Sequence, residues 1–376
     1  MVAGEASGDV LAGVLLDGLR ARWPALVAQG IGGPEMAARG FEAWWPHHKL
    51  AVRGYAEVVA HFREIVAIRS KLTERLMDEA SKERPDCFIG VDAPDFNLDL
   101  EVKLKASGMK TVHFISPSIW AWRGKRIEKI AKAADLVLCI FPFEPEIYAK
   151  RGIRAEYVGH PLASRIPAVP PKREARAALG IGDDETCVAI LPGSRRAEIQ
   201  YIAPRLFGAA VEMAARRPKL RFVVPVVTGL RHAVEPLRRQ HAPDLSIDLL
   251  DGRAHDALAA ADVVLVASGT ATLETALFQR PMVIVYAMHA LTWQMGKRMN
   301  YQPWVGLPNI LLREFAVPEL LQGDATPRKI ADAAFAWLDD PTAVAALTAK
   351  FQGLHALLSR DTPTIAARAI AETIGR

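Results

Sequence analysis

Residues 263–274 read VVLVASGTATLE, and this stretch decides the fold. The apolar run at its start lacks the alternation of a half-exposed strand, which is typical of a buried strand in a parallel sheet. A Ser-Gly-Thr turn follows, and the next residues have helix-forming character. A strand that passes through a turn of small residues into a helix is the unit of doubly wound α/β domains, whose ligands bind at the carboxyl ends of the strands.

Similar units run along the whole chain of 376 residues, which corresponds to about two domains of ordinary size. Predicted strands, separated by amphipathic stretches, span residues 1–3, 27–31, 87–91, 111–115, 136–140, 155–158, 187–191, 222–227, 246–250, 263–267 and 282–286. Residues 160–172 contain four prolines and predict a linker. We therefore expect two Rossmann-like doubly wound domains, residues 1–165 and 166–345, that face each other across a cleft. Helices over residues 346–376 could pack back on the N-terminal domain.

Composition narrows the class of protein. Hydrophobic residues make up 51% of the chain and charged residues 24%, which is typical of a globular enzyme and excludes a disordered chain. The apolar runs fall far short of the ~20 residues of a membrane-spanning helix, and no secretory signal begins the chain, so we expect a cytoplasmic protein. The cysteines lie in strand-like runs without a Cys-x-x-Cys pair, which predicts buried thiols rather than a zinc site at Cys87, Cys139 and Cys187.

Charge is distributed evenly with one exception. The net charge of +5 is spread over both halves, which argues against a nucleic-acid-binding surface. Residues 103–132, in contrast, hold eight Lys or Arg and a single acid. Aromatic and basic side chains stand together there, and such a mixture suits an anionic amphiphile. The segment therefore predicts an interfacial surface formed by Trp120, Trp122, Arg123, Lys125 and Arg126.

Residues 50–76 carry apolar side chains at helical spacing. The simpler interpretation is a helix that packs on the protein core. The alternative is a helix whose apolar face, together with Trp44 and Trp45, meets lipid.

Residues 4–9 read GEASGD and connect the first predicted strand to a helix. Ser7 and Gly8 would let the backbone approach a ligand, and the free N–H groups of a helix start favour an anion. The segment is neither the Gly-x-Gly-x-x-Gly dinucleotide motif nor a P-loop. An ordinary helix start is the alternative.

Residues 87–97 read CFIGVDAPDFN. Asp92 directly follows a predicted buried strand, which Pro94 prevents from continuing. An acid at that position faces ligand rather than core, which makes Asp92 a candidate general base. Asp95 is predicted to cap the next helix, and a capping role is also the alternative for Asp92.

Residues 191–198 read LPGSRRAE and repeat the passage from strand through glycine turn to helix. Ser194 could cap the helix, and Arg195 could direct its guanidinium group at a phosphate. The alternative for Arg195 is an ordinary surface arginine.

The turn in residues 263–274 predicts a nucleotide site. Ser268, Gly269 and Thr270 combine small side chains with the backbone N–H groups of a helix start, which suits a diphosphate. Glu274 lies one turn into that helix, where a carboxylate can accept hydrogen bonds from a ribose diol. A capped helix start without a ligand is the alternative.

Two absences also carry information. The chain has no Asp-x-Asp pair, with which many nucleotide-sugar enzymes hold a metal ion, and this favours a metal-free mechanism. We expect no cofactor. It has no Gly-x-Ser-x-Gly segment, which disfavours a hydrolase of that type.

Taken in order, the motifs of this chain resemble those of the lipid-A-disaccharide synthase family: GEASGD, GVDAPDFN, SPSIWAWR, FPFE at residues 141–144, VGHP at residues 158–161, LPGSR, SGTATLE and LPN at residues 307–309. The resemblance covers residues 4 to about 322. Several such motifs in one order are far more specific than any one alone.

The resemblance implies an inverting GT-B glycosyltransferase. It would transfer 2,3-diacylglucosamine from UDP-2,3-diacylglucosamine to 2,3-diacylglucosamine 1-phosphate, forming the β-1,6-linked lipid A disaccharide 1-phosphate and UDP. Asp92 would be the base and Arg195 would stabilise the leaving group, while Ser7, Gly8 and Asn309 would lie near the phosphates. The interfacial surface would receive the acylated acceptor, and the protein would be peripheral on the cytoplasmic face of the inner membrane. The sequence leaves open whether the protein forms a homodimer.

Other functions remain open from the sequence. Another GT-B enzyme acting on a UDP-linked amino sugar, such as a peptidoglycan glycosyltransferase or a non-hydrolysing epimerase, would share the nucleotide-binding half. A non-catalytic lipid- or nucleic-acid-binding protein would bind an anion without turnover. Because only three residues precede Gly4 and a central strand needs about five, we also expect the natural start to lie upstream.

Overall fold

The computed structural model describes residues 1–50, 55–78, 85–121, 123–289 and 302–376. The chain forms two compact units. The first consists of residues 1–164 and 358–376, and the second of residues 165–357. Each unit is built on one parallel sheet with helices between successive strands, which confirms the predicted α/β class with two Rossmann-like doubly wound sheets.

The first unit has a seven-stranded sheet with the order β3-β2-β1-β4-β5-β6-β7. All of its pairings are parallel. Its strands are β1 (Val2–Ala3), β2 (Gln29–Gly32), β3 (Glu42–Pro46), β4 (Cys87–Val91), β5 (Lys110–Phe114), β6 (Leu136–Cys139) and β7 (Ala155–Tyr157). Its helices are α1 (Ala6–Arg22), α2 (Pro34–Ala37), α3 (Tyr55–Met77), α4 (Pro94–Ala106), α5 (Ile127–Ala133), α6 (Glu144–Ala149) and α7 (Pro161–Arg165), which reaches the unit boundary.

The second unit has a six-stranded sheet with the order β10-β9-β8-β11-β12-β13, again parallel throughout. Its strands are β8 (Thr186–Leu191), β9 (Leu220–Val226), β10 (Ile247–Asp251), β11 (Val263–Ala267), β12 (Met282–Tyr286) and β13 (Glu319–Leu321). Its helices are α8 (Lys172–Leu179), α9 (Arg196–Arg216), α10 (Arg231–His241), α11 (Ala254–Ala260), α12 (Thr270–Leu277), α13 (Leu307–Leu312), α14 (Pro327–Leu338) and α15 (Pro341–Leu358).

Helix α3 packs on the core of the first unit. Ile68, Leu72 and Leu76 are buried in a cluster with strand residues, and Trp44 and Trp45 of β3 pack against the same cluster. The core-facing interpretation is therefore correct for this half of the helix, and the two tryptophans serve the core rather than lipid. The side chains of residues 55–62 lie outside the described part of the chain.

The C-terminal segment divides between the units. Helix α15 runs without a break to Leu358, and its Lys350 pairs with Glu314 at 2.8 Å. The second unit therefore extends to residue 357, beyond the predicted boundary at residue 345. The last helix, α16 (Thr362–Ile374), packs on α1 of the first unit. Gly18 permits this approach, because a Cβ atom there would lie 2.1 Å from the carbonyl oxygen of Pro363.

Two other expectations concern the linker and the cysteines. The predicted linker, residues 160–172, is partly helical, since α7 occupies its first half. Cys139 and Cys187 are buried and Cys87 is half-buried. Burial raises the pKa of the Cys87 and Cys187 thiols to about 12. Within the described ranges, none of the helices combines the length and the apolar character needed to cross a bilayer.

Candidate functional site

The predicted site residues follow the strands at which each sheet reverses its order. In the first unit, β1 and β4 are neighbours, and the chain runs to β2 on one side and to β5 on the other. In the second unit, β8 and β11 hold the same position. Helices that leave such neighbouring strands lie on opposite faces of the sheet, so a crevice opens at the carboxyl ends. Each unit therefore has one crevice of the kind that binds ligands.

The crevice of the first unit is lined by the loops after β1 and β4. These loops touch, because a Cβ atom on Gly4 would lie 2.9 Å from the Cβ atom of Ala93. Gly8 is buried close to the end of β4, where an added Cβ atom would lie 3.6 Å from the carbonyl oxygen of Val91. Ser7 is exposed in the first turn of α1. The structure thus brings the GEASGD loop and the Asp92 loop together.

Asp92 begins the loop after β4 in an uncommon backbone conformation. Its φ is 52° and that of Ala93 is 43°, so two consecutive residues other than glycine lie in the left-handed region. The amide of Asp92 donates to the carbonyl oxygen of Phe114 at 2.9 Å. The side chain is half-buried, and within the described ranges no group donates a hydrogen bond to its carboxylate. That carboxylate is consequently available to accept a proton or a hydrogen bond from a ligand.

Two acids near this crevice have structural roles: that of Asp95 differs from the prediction, and that of Asp9 was not predicted. Asp95 does not cap α4, whose N-cap is Ala93; its carboxylate is 80% exposed and pairs with Arg126. Asp9 is buried, and its carboxylate accepts hydrogen bonds from the amides of Gly33 (2.8 Å) and Glu35 (2.9 Å). Asp9 therefore fixes the start of α2. This role is not visible in the sequence, because Asp9 and Gly33 are 24 residues apart.

In the second unit, the loop after β8 carries Arg195 at the N-cap of α9. Its side chain is 67% exposed, and Nη1 lies 3.2 Å from Oε1 of Glu198. The other oxygen of Glu198 accepts from the amide of Ser194 at 3.0 Å, so Glu198 rather than the Ser194 hydroxyl secures the helix start. Gly193 has a φ of 117°, and a Cβ atom there would lie 2.8 Å from Cβ of Glu198. An exposed guanidinium at a helix start suits a phosphate.

The neighbouring loop after β11 is anchored at one side and open at the other. The amide of Ser268 donates to Val285 at 2.9 Å, and its hydroxyl donates to the carbonyl oxygen of Val305 at 2.9 Å. Gly269 and Thr270 are exposed, and Gly269 has a φ of 149° with no atom within 4 Å of where a Cβ would lie. This opening leaves the first amides of α12 accessible to an anion.

Glu274 lies in the second half of α12, with its side chain 23% exposed. Its Oε2 is 3.6 Å from Nε2 of His255, whose ring packs against Phe278. An acceptor on this edge of α12 is compatible with a ribose diol. Sequence analysis missed His255 as a neighbour of Glu274, because His255 lies on α11, outside the motif of residues 263–274.

Asn309 is not where sequence analysis placed it. The residue is fully buried, its Nδ2 donates to Glu319 (2.8 Å) and to the carbonyl oxygen of Val317 (2.9 Å), and its Oδ1 accepts from the amide of Val317 at 3.0 Å. Both ends of the amide are therefore engaged within the protein rather than directed at a phosphate. That expectation is wrong for this structure.

Glu319 is a functional candidate that sequence analysis missed. Its carboxylate accepts hydrogen bonds from the amides of Val305 and Gly306, both at 2.9 Å, in addition to the bond from Asn309. Val305 is the residue that accepts from the Ser268 hydroxyl. Asn309 and Glu319 thus hold the segment that contacts the loop after β11.

The predicted interfacial surface is only partly present. Trp120 is buried, at 8% exposed, and its Nε1 donates to Glu144 at 3.1 Å, so this side chain belongs to the core and the expectation that it lies at a surface is wrong. Arg126 is 15% exposed and neutralised by Asp95. Arg123 and Lys125 are exposed, while Trp122 lies outside the described residues.

A basic groove lies on the first unit between α3, α4 and α5. It has a volume of about 590 Å³, and most of its lining residues are basic: Arg69, Lys103, Lys125, Lys129 and Lys132. Arg69 and Lys129 pair with Asp99, at 2.9 and 2.6 Å. The other three lysines form no ion pair with any residue in the described ranges. The groove is therefore electropositive and suits a phosphorylated ligand or an anionic surface.

Three motifs of the sequence meet in one buried cluster. Glu144, from FPFE, accepts hydrogen bonds from Trp120 and from the amide of Phe141 at 3.0 Å. Burial raises the pKa of Glu144 to about 7, although hydrogen bonds from Phe141, Ser116 and Trp120 act in the opposite direction. Burial also lowers the pKa of His160, from VGHP, to about 4. The cluster joins the loops after β5, β6 and β7 in the core of the unit.

The fold defines the class of protein. A UDP-GlcNAc 2-epimerase from Neisseria meningitidis, solved with UDP-GlcNAc, matches with a TM-score of 0.61 at 12% sequence identity, covering 98% of this chain and 96% of that one. The Anabaena protein HepE, solved with UDP and glucose, matches with a TM-score of 0.60 at 14% identity, covering 100% and 98%. The fold is the GT-B type, which such epimerases share with glycosyltransferases.

Sequence relatives identify the family. The model of the lipid-A-disaccharide synthetase family matches residues 1–370. A relative from Albidiferax ferrireducens, named lipid-A-disaccharide synthase, is 55% identical over 379 residues, which cover 100% of this chain and 96% of the relative. The chain belongs to the lipid-A-disaccharide synthase family, and is accordingly a glycosyltransferase. The resemblance seen in the motifs is confirmed.

Proposed function

We propose that this enzyme transfers 2,3-diacylglucosamine from UDP-2,3-diacylglucosamine to 2,3-diacylglucosamine 1-phosphate, with inversion, to give the β-1,6-linked lipid A disaccharide 1-phosphate and UDP. Family membership supports the reaction class. The observation that carries the mechanism is the position of Asp92: an available carboxylate at the strand-order reversal of the first unit. The second unit offers an anion site at the equivalent position.

The second unit would bind the donor. Arg195 and the open start of α12 supply positive charge and N–H groups for a diphosphate, and Glu274 lies further along the same helix for the ribose. The two solved proteins of this fold that contain UDP or a UDP-sugar support a nucleotide of this kind. Binding would require no metal ion, because the guanidinium group and the helix start carry the positive charge.

Asp92 would act as the general base. An α-linked donor that gives a β-linked product requires one displacement, in which the acceptor 6-hydroxyl oxygen bonds to C1 as the bond from C1 to the diphosphate oxygen breaks. The hydroxyl proton passes to the Asp92 carboxylate, and UDP leaves with the electron pair. Arg195 and the α12 amides would stabilise the negative charge that develops on UDP.

The first unit would receive the acceptor. The basic groove, with Lys103, Lys125 and Lys132, is suited to anionic lipid headgroups, and Arg123 extends the positive charge. We infer that the enzyme is peripheral on the cytoplasmic face of the inner membrane, because both sugars carry acyl chains. Removing positive charge from this groove should then weaken binding to anionic vesicles and increase KM for the acceptor.

Replacement of Asp92 tests the mechanism. In Asp92→Ala, turnover should fall by at least about 1,000-fold, while UDP affinity measured by calorimetry should stay within twofold of wild type, because the base acts on the acceptor. Asp95→Asn is the matched control. Asp95 lies three residues after Asp92 in the first turn of α4, and because its carboxylate is exposed, the variant should retain activity. A comparable loss of UDP affinity in Asp92→Ala would reassign Asp92 to the donor site.

A further inference from the structure

Asn97 lies directly beneath the Asp92 loop. It is fully buried on the first turns of α4, and its Nδ2 donates to the carbonyl oxygen of Asp92 at 2.8 Å. The same nitrogen is 3.4 Å from the carbonyl oxygen of Val91 and 3.3 Å from that of Val2. One side-chain amide therefore joins the carboxyl ends of β1 and β4, where the strand order reverses.

The loop that Asn97 holds is strained. Left-handed backbone is unfavourable for residues other than glycine, and here Asp92 and Ala93 adopt it in succession. Such conformations persist only when the surroundings fix them. The Asp92 amide is fixed by Phe114 of β5, and its carbonyl oxygen is fixed by Asn97. These two hydrogen bonds hold the backbone groups on both sides of the Asp92 Cα atom, which carries the carboxylate side chain.

The two polar atoms of the Asn97 side chain differ in their hydrogen bonding. Its Oδ1 is buried and accepts no hydrogen bond from the residues that the structure describes. A buried polar atom without a partner is unfavourable, and a leucine, whose side chain branches at the same atom, would avoid that cost. Packing alone therefore does not explain an asparagine here, whereas the bond from Nδ2 to Asp92 does.

We infer that Asn97 is a positioning residue for the proposed base: its amide fixes the carbonyl oxygen of Asp92 and thereby directs the carboxylate at the acceptor hydroxyl. The inference rests on the proposed role of Asp92. Because Asn97 is fully buried, it would act on the chemical step through backbone geometry rather than through contact with a substrate.

Asn97→Leu tests the inference. A small misplacement of a catalytic group costs up to about 100-fold in rate, so kcat should fall by about 10- to 100-fold, with KM for both substrates and UDP affinity within twofold of wild type. Thr111→Val is the control. Thr111 is equally buried, its hydroxyl donates to Ala133 at 2.7 Å, and it lies at the opposite end of the sheet from Asp92. Its loss should lower the melting temperature and leave kcat unchanged.

Asn97→Asp provides a second test that does not depend on the folding of Asn97→Leu. A buried carboxylic acid has a raised pKa and, while protonated, can still donate to the Asp92 carbonyl oxygen. Its kcat should approach that of wild type at low pH and fall as pH rises and the donor is lost. Wild-type kcat in Asn97→Leu, or an Asn97→Asp profile parallel to wild type, would overturn the inference. If Asp92→Ala itself kept its activity, the base assignment would fail instead.

Discussion

Replacement of Glu319 by alanine should weaken both the second unit and its proposed nucleotide site. The carboxylate accepts three hydrogen bonds, from Val305, Gly306 and Asn309. At about 1 kcal/mol for each bond, the variant should lose about 3 kcal/mol of unfolding free energy. For a unit of this size, 1 kcal/mol corresponds to roughly 2–4 °C, so its melting temperature should fall by roughly 6–12 °C.

The effect on nucleotide binding follows from the contact between Val305 and Ser268. When the segment that accepts the Ser268 hydroxyl is no longer fixed, the loop after β11 must be ordered by the ligand, and we expect UDP affinity to fall about tenfold. Calorimetric unfolding with and without UDP, together with titration of UDP, measures both quantities.

Glu314→Ala is the matched control for Glu319→Ala. Glu314 lies on the same connection but is exposed and pairs with Lys350, so its loss should cost less than about 1 kcal/mol and leave UDP affinity unchanged. If Glu319→Ala unfolds within 2 °C of wild type (about 1 kcal/mol or less) and binds UDP equally well, the proposed support of the loop is refuted.

Three other predictions concern charge, metal and pH. Arg195→Ala should lower kcat/KM by at least about 100-fold, equivalent to about 3 kcal/mol of transition-state stabilisation, and an unchanged rate would return Arg195 to an ordinary surface residue. Activity should survive EDTA, whereas a loss that magnesium restores would contradict a metal-free site. Burial raises the pKa of Glu144 from 4.5 to about 7, so the folded protein binds this proton more tightly than the unfolded chain does. The resulting stabilisation of the folded state is fully present below pH 4.5 and is lost as pH rises through 7. The unfolding free energy of wild type, relative to that of Glu144→Gln, should therefore fall by about 3 kcal/mol from pH 4.5 to pH 8. Stability curves of the two proteins that run parallel over this pH range would contradict the raised pKa of Glu144.

The central strands could be predicted from the sequence because they are buried on both faces. Cys87–Val91, Val263–Ala267 and Met282–Tyr286 have the predicted bounds. The missed strands are Glu42–Pro46, whose residues are exposed or half-buried, and the short edge strand Glu319–Leu321. Neither of these two edge strands contains a continuous apolar run, so their pairing is visible only in the folded chain.

The general location of the site was also predictable, because ligands of parallel sheets bind after particular strands. The roles of individual side chains were less predictable from the sequence. The resemblance implies Asn309 near the phosphates, and the sequence predicts Trp120 at a surface, yet each side chain is buried beside a partner that the local sequence does not reveal. Asn309 bonds to Val317 and Glu319, and Trp120 bonds to Glu144, which begins the helix after β6.

The most direct test is the reaction itself. Purified protein should be incubated with UDP-2,3-diacylglucosamine and 2,3-diacylglucosamine 1-phosphate in detergent, and the products analysed by mass spectrometry and by NMR of the new glycosidic linkage. A β-linked disaccharide 1-phosphate formed with one equivalent of UDP is the predicted result. Binding of UDP without a disaccharide, or an epimerised UDP-sugar in its place, would contradict the proposed function.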